Sequence, residues 1–129
     1  MVTAQVSTTT PQKIIEAIEP IIAQRVEAQE AEPNSTSTVR TYVEQEALKV
    51  GVSPKLASSI VQCESGFIPQ QSQILTKTGE KEDSWGIWQI HLPDHPTMNR
   101  EKAMDVKIST AYSLELIKKG EAHLWSCYK

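Results

Sequence analysis

The sequence has no apolar run long enough to cross a membrane as a helix. It has no excess of basic residues either. Of its 129 residues, 13 are lysine or arginine and 16 are aspartate or glutamate, a formal net charge of −3. Nucleic-acid binding calls for a basic patch, so the charge balance speaks against it. Met1 to Thr10 is rich in threonine and lacks the basic start and apolar stretch of a signal peptide. Cysteine is scarce, with only Cys63 and Cys127. Two such residues are either free buried thiols of a reducing compartment or one disulfide of an oxidising one. A bridge would close a loop of about 65 residues and tie the last segment to the middle of the chain. The histidines add no metal signature: His91, His95 and His123, with Cys63, match no known ligand spacing, so neither metal nor cofactor is expected.

The length allows one domain plus a tail. Pro11 to Ala31 carries Ile14, Ile15, Ile18, Ile21, Ile22 and Val26 in a helix-like pattern broken by Pro20, so a short helix over 12–30 is expected. Ala31 to Thr38 is Ser/Thr-rich and reads as a linker, which puts residues 1–38 in an N-terminal tail and 39–129 in the folded domain.

Thr38 is a candidate N-cap for a helix from Val39 to Val50, with Val39, Tyr42, Val43, Ala47 and Val50 as its apolar face. Gly51 ends it. A second helix opens at Ser53-Pro54, a capping hydroxyl followed by a proline whose missing N–H costs nothing in the first turn. Ala57, Ile60, Val61 and Glu64 follow at i, i+3, i+4 and i+7, so they share one helix face. The last position of the buried stripe is thus a carboxylic acid. Gly66 stops the helix and Pro69 prevents its resumption. Burial and the negative helix end both favour a protonated Glu64, the form a general acid needs. Further on, Asn99 or Thr97 caps a short helix from Arg100 to Met104. Asp105 caps a longer one over Val106 to Lys119, stopped by Gly120.

Glu64-Ser65-Gly66-Phe67-Ile68-Pro69 and, further along, Gly86-Ile87-Trp88-Gln89-Ile90 form an ordered pair. This pair resembles the signature of the lysozyme-like superfamily, most closely its lytic transglycosylase (SLT-type) branch. The likeness runs from about Val39 to Cys127. It implies a mainly α, α+β lysozyme-like domain with a sugar-binding cleft. It also implies action on peptidoglycan glycan strands outside the cytoplasm, by a monomer with no cofactor. Glu64 becomes the catalytic acid, and Gln89 a cleft residue beside it. One of Trp85 and Trp88 is expected in the core, and Trp88 is carried as a candidate sugar contact. Ser72 is the nearest match to a serine the family often places in the first cleft lobe, although Gln73 holds the usual position. Tyr112 is the nearest match to a cleft tyrosine on a late helix. The ending through Trp125 is expected to pack on the core and bring Cys127 to Cys63.

Cleavage by two carboxylates needs a partner for Glu64 about 5–9 Å away. Asp83 is the leading candidate, ahead of Glu82 and Asp94. Without a partner, Glu64 would act first as acid and then as base, and the sugar's C6 hydroxyl would close an anhydro ring. Two other readings stand beside this one. One is a non-catalytic glycan-binding module that uses Glu64 for hydrogen bonding. The other is an intracellular helical interaction domain with two reduced thiols.

Overall fold

A computed structural model describes residues 35–128; the short helix expected over 12–30 lies outside them. The first element starts earlier than its apolar pattern suggests. Ser35 and Thr38 form a reciprocal capping box: the Ser35 hydroxyl accepts from the Thr38 N–H, and the Thr38 hydroxyl accepts from the Ser35 N–H. Helix α1 therefore runs Thr36–Val50 with Ser35 as N-cap, and Thr38 sits in its first turn. The Ser/Thr stretch that reads as the end of a linker is a helix start, because two hydroxyls three apart satisfy the otherwise unpaired amides.

Helix α2, Pro54–Ser65, matches its sequence signals. Ser53 accepts from the Leu56 N–H at 3.1 Å, and Gly66 closes the helix in the left-handed region at φ 61°. Ala57, Ile60 and Val61 are buried, as are Val39, Val43 and Ala47 of α1. These two stripes face each other. Arg40 of α1 reinforces the joint by donating to Gln62 Oε1 at 2.8 Å and lying 4.6 Å over the ring of Phe67.

A two-stranded antiparallel sheet follows, β1 (Ser84–Trp85) and β2 (Ile90–His91), with Ser84 opposite His91 and Trp85 opposite Ile90. The chain before it, residues 70–75, folds back alongside. Ser72 N–H reaches Ser84 O at 2.8 Å, Gly86 N–H reaches Gln70 O at 2.9 Å, and Leu75 bridges Lys81. Ile74-Leu75-Thr76 is thus one arm of a small hairpin. Helices α3 (Arg100–Met104, capped by Asn99) and α4 (Val106–Lys118, capped by Asp105) complete the domain. The described residues form a small, mainly helical domain with four α-helices and a very small sheet. Among the described residues, no helix is long and apolar enough to cross a membrane.

Trp88 stands at the centre of this assembly. It is wholly buried, and its indole N–H donates to Thr110 of α4 at 3.0 Å. Trp125 packs edge-on against it with ring centroids 5.7 Å apart and donates its own indole N–H to Trp88 O at 2.7 Å. This seats the C-terminal segment, where Cys127 forms a disulfide with Cys63 of α2 across a sequence separation of 64.

Two substitutions test these joints. A Cβ at Gly86 would lie 1.8 Å from the Ala103 carbonyl oxygen of α3, at a backbone φ of 83° that side chains seldom adopt. Gly86→Ala is expected to cost about 3 kcal/mol in urea denaturation, because backbone rather than a flexible side chain must yield. Cys63→Ser/Cys127→Ser is expected to cost about 4 kcal/mol in guanidinium denaturation, from the loop entropy returned to the unfolded chain.

Candidate functional site

Glu64 lies one residue before the end of α2, so the glycine stop that ends the helix also sets where its carboxyl emerges. Its neighbour Ser65 donates to Ile87 O at 2.7 Å, which pins this helix end to the loop joining β1 and β2. The same loop carries Gln89, itself in the left-handed region at φ 49°. The Gln89 amide nitrogen donates to Gln70 O at 2.9 Å and to Gly86 O at 2.8 Å. Both of its protons are spent on backbone carbonyls, so the amide is held in one orientation with Oε1 as its remaining acceptor.

Glu64 and Gln89 line one open cleft of about 600 Å³. Its walls are the end of α2, residues 70–74, the face of the hairpin from Glu82 to His91, and the segment 124–127. The lining is rich in glutamine and serine, and its charged side chains are Glu64, Glu82 and Asp94, with His91 beside them. No lysine or arginine is among the lining residues. Such a surface does not suit a phosphate or another anion. It does suit a neutral, hydroxyl-rich molecule, which needs many donors and acceptors at once. Ile74 and Leu124, exposed at 64% and 47%, add apolar surface to the same cleft.

The Glu64 carboxyl is half-buried, and Oε2 accepts a hydrogen bond from the Cys127 backbone N–H at 3.2 Å. Burial is the largest influence on its acidity and raises its pKa above the usual glutamate value. The hydrogen bonds from Cys127 and from the Ser126 hydroxyl oppose that rise, and the charge of Glu82 adds to it. The net shift is upward, so Glu64 keeps its proton further toward neutral pH than an exposed glutamate does.

The other sequence candidates are placed differently. Ser72 is buried in the cleft wall, where its hydroxyl accepts from the Ile74 N–H at 3.1 Å. Trp88 cannot contact a ligand, because it is fully enclosed by the core and its N–H is already used. Tyr112 is not among the cleft-lining residues; its hydroxyl lies 2.6 Å from His95 Nδ1, and the two rings meet edge-on. Burial chiefly lowers the pKa of that histidine. Asp83 also lies outside the cleft lining, with Oδ1 accepting from the Trp85 indole N–H at 2.6 Å.

Strand geometry explains the misplacement of Asp83. Successive side chains point to opposite faces, so Asp83 and Trp85 share one face while Glu82 and Ser84 share the other. Glu82, Ser84 and His91 line the cleft in place of Asp83. The i, i+2 spacing of Glu82 and Ser84 was a usable signal once the hairpin register is known. Ser126 and the Cys127 amide had no comparable signal, because the donors come from a distant segment.

Compared with known proteins, the chain matches no family model, no curated protein and no solved structure.

The acidity of Glu64 is open to direct titration. Followed by carboxyl carbon NMR, Glu64 should titrate above the usual glutamate value. Ser126→Ala should raise it further, and Glu82→Gln should lower it. Since the folded pKa is the higher one, this group's contribution to stability is full below the unfolded pKa and is lost as pH rises through the folded pKa. Wild type should therefore lose stability relative to Glu64→Gln across that interval in parallel denaturation curves.

Proposed function

We propose that this domain cleaves the β-1,4 bond between MurNAc and GlcNAc in peptidoglycan, with Glu64 as the general acid. The observation that carries the proposal is the setting of Glu64: a half-buried carboxyl with a raised pKa, lining an open cleft whose lining residues include no lysine or arginine. A neutral carboxyl can donate its proton to the leaving glycosidic oxygen, and a polar, uncharged-ligand cleft can hold the chain on either side. The substrate class comes from the resemblance of Glu64-Ser65-Gly66-Phe67-Ile68-Pro69 and Gly86-Ile87-Trp88-Gln89 to the lytic transglycosylase signature.

Gln89 is suited to orient a sugar. Its amide is fixed by two backbone carbonyls, so Oε1 presents an acceptor without a rotational penalty at binding. The acceptor of the glycosyl group is either water or the sugar's own C6 hydroxyl. The first gives a reducing end and the second an anhydro ring. The disulfide supports an oxidising, extracytoplasmic setting, where the polymer is found.

The test is mass spectrometry of muropeptides released from purified peptidoglycan by wild type and by Glu64→Gln. Wild type should release soluble products, anhydro or reducing-ended according to the acceptor. Glu64→Gln should be slower by about 10²–10⁴-fold, the usual contribution of a general acid. Activity of wild type should fall as pH rises through the raised pKa of Glu64, because the donor is then ionised. Binding without products from either protein would instead make this a glycan-binding module.

A further inference from the structure

Three cleft side chains form a connected chain of hydrogen bonds that the acid does not use. Ser84 Oγ donates to Glu82 Oε1 at 2.7 Å and lies 3.1 Å from His91 Nδ1. A serine hydroxyl has one proton. Since that proton is on the Glu82 contact, the bond from the other side must be donated by His91, which places a hydrogen on Nδ1. The order is therefore His91 N–H to Ser84 O–H to the Glu82 carboxylate. Ser84 is 2% exposed and sits opposite His91 in the hairpin register, so the relay is set by the sheet rather than by mobile side chains. Glu82 and His91 reach the cleft that holds Glu64, on the face opposite to Asp83.

We infer that Glu82 is the second catalytic carboxylate of this cleft, the base that takes the proton from an attacking water, and that Ser84 and His91 are its positioning residues. The inference rests on the glycosidase reading of the preceding subsection. A carboxylate that receives a hydrogen bond from a buried hydroxyl is held in one orientation. A solvated loop acid has no such constraint. The like charge of Glu82 is also one of the influences holding the proton on Glu64. One group is then kept as acid and the other as base, the division of labour that paired carboxylates supply.

The step balances without any further reactant. The O–H bond of the attacking water breaks and its proton passes to Glu82. The acceptor oxygen bonds to the anomeric carbon. The glycosidic C–O bond breaks, its electron pair goes to the leaving oxygen, and that oxygen takes the proton of Glu64. The cleft is left with Glu82 protonated and Glu64 ionised. Exchange with solvent through the open side restores both.

The experiment is steady-state kinetics of the full chain on soluble glycan strands. Glu82→Gln keeps the shape and the Ser84 contact, and it should lower kcat by about 10²-fold or more while KM changes by less than about threefold. Formate should partly restore kcat in Glu82→Ala, because a small carboxylate can occupy the vacated space. Ser84→Ala should lower kcat by about tenfold, and Glu82→Gln/Ser84→Ala should be no slower than Glu82→Gln alone, since serine acts only through the glutamate. Three results overturn the assignment in an active wild type. One is a Glu82→Gln protein within about threefold of wild type in kcat. The second is failure of formate to restore Glu82→Ala. The third is effects of Glu82→Gln and Ser84→Ala that multiply. A wild type that releases no product overturns the glycosidase reading itself, and the base falls with it.

Discussion

Everything near the cleft hangs on the contact between Trp88 and Trp125. Trp88 belongs to the loop of the small sheet, is bonded to α4 through Thr110, and receives the indole N–H of the C-terminal segment on its carbonyl. Two large rings meeting edge-to-face contribute about 0.5–1.5 kcal/mol beyond the area they bury. Their position matters more than that increment. A sheet of two residues per strand has too few ladder bonds to hold itself, and it survives here because its loop is nailed into the helical core. Gly86 completes the seating by letting the loop backbone press against the end of α3.

That arrangement turns an otherwise flimsy hairpin into a rigid wall. Ser65 ties the end of α2 to the loop at Ile87, and Gln89 ties the loop to residue 70. The carboxyl at the end of α2, the amide at the end of the loop and the strand face bearing Glu82 and Ser84 are thereby referred to one frame. A site that must hold several groups within a fraction of an ångström needs such a frame. Here backbone carbonyls are the acceptors, and each positioning bond depends on the side chain that donates to it.

What could be read from the sequence was local. Ser53-Pro54 and Gly66 mark α2 because capping and chain reversal are decided by the residues themselves, and the i, i+3, i+4, i+7 stripe put Glu64 on the right face. The mainly helical class followed from the same periodicities. The start of α1 was missed because Ser35 and Thr38 look like linker residues until their mutual bonds are seen. The local sequence does not separate Asp83 from Glu82, because nothing local gives the phase of a strand two residues long; that phase comes from the pairing of Ser84 with His91. The motif marks Trp88 as a cleft candidate, yet its indole is closed off by α4 and Trp125. That closure is tertiary, and an aromatic in a motif gives no sign of which side it will turn to.

The disulfide has a consequence for how this domain can vary over time. Cys127 contributes its sulfur to Cys63 and its amide hydrogen to Glu64, the residue immediately after Cys63. Covalent closure therefore holds in place the backbone that faces the carboxyl. The donor is a backbone amide that outlasts replacement of Cys127, so a lineage that discards the bridge must rely on Trp125 alone to keep that amide in place. A lineage that moves the acid along α2 must move the bridge with it. Loops such as the tip around Gly79, which makes only its own turn bond, carry no such obligation and are where change should accumulate.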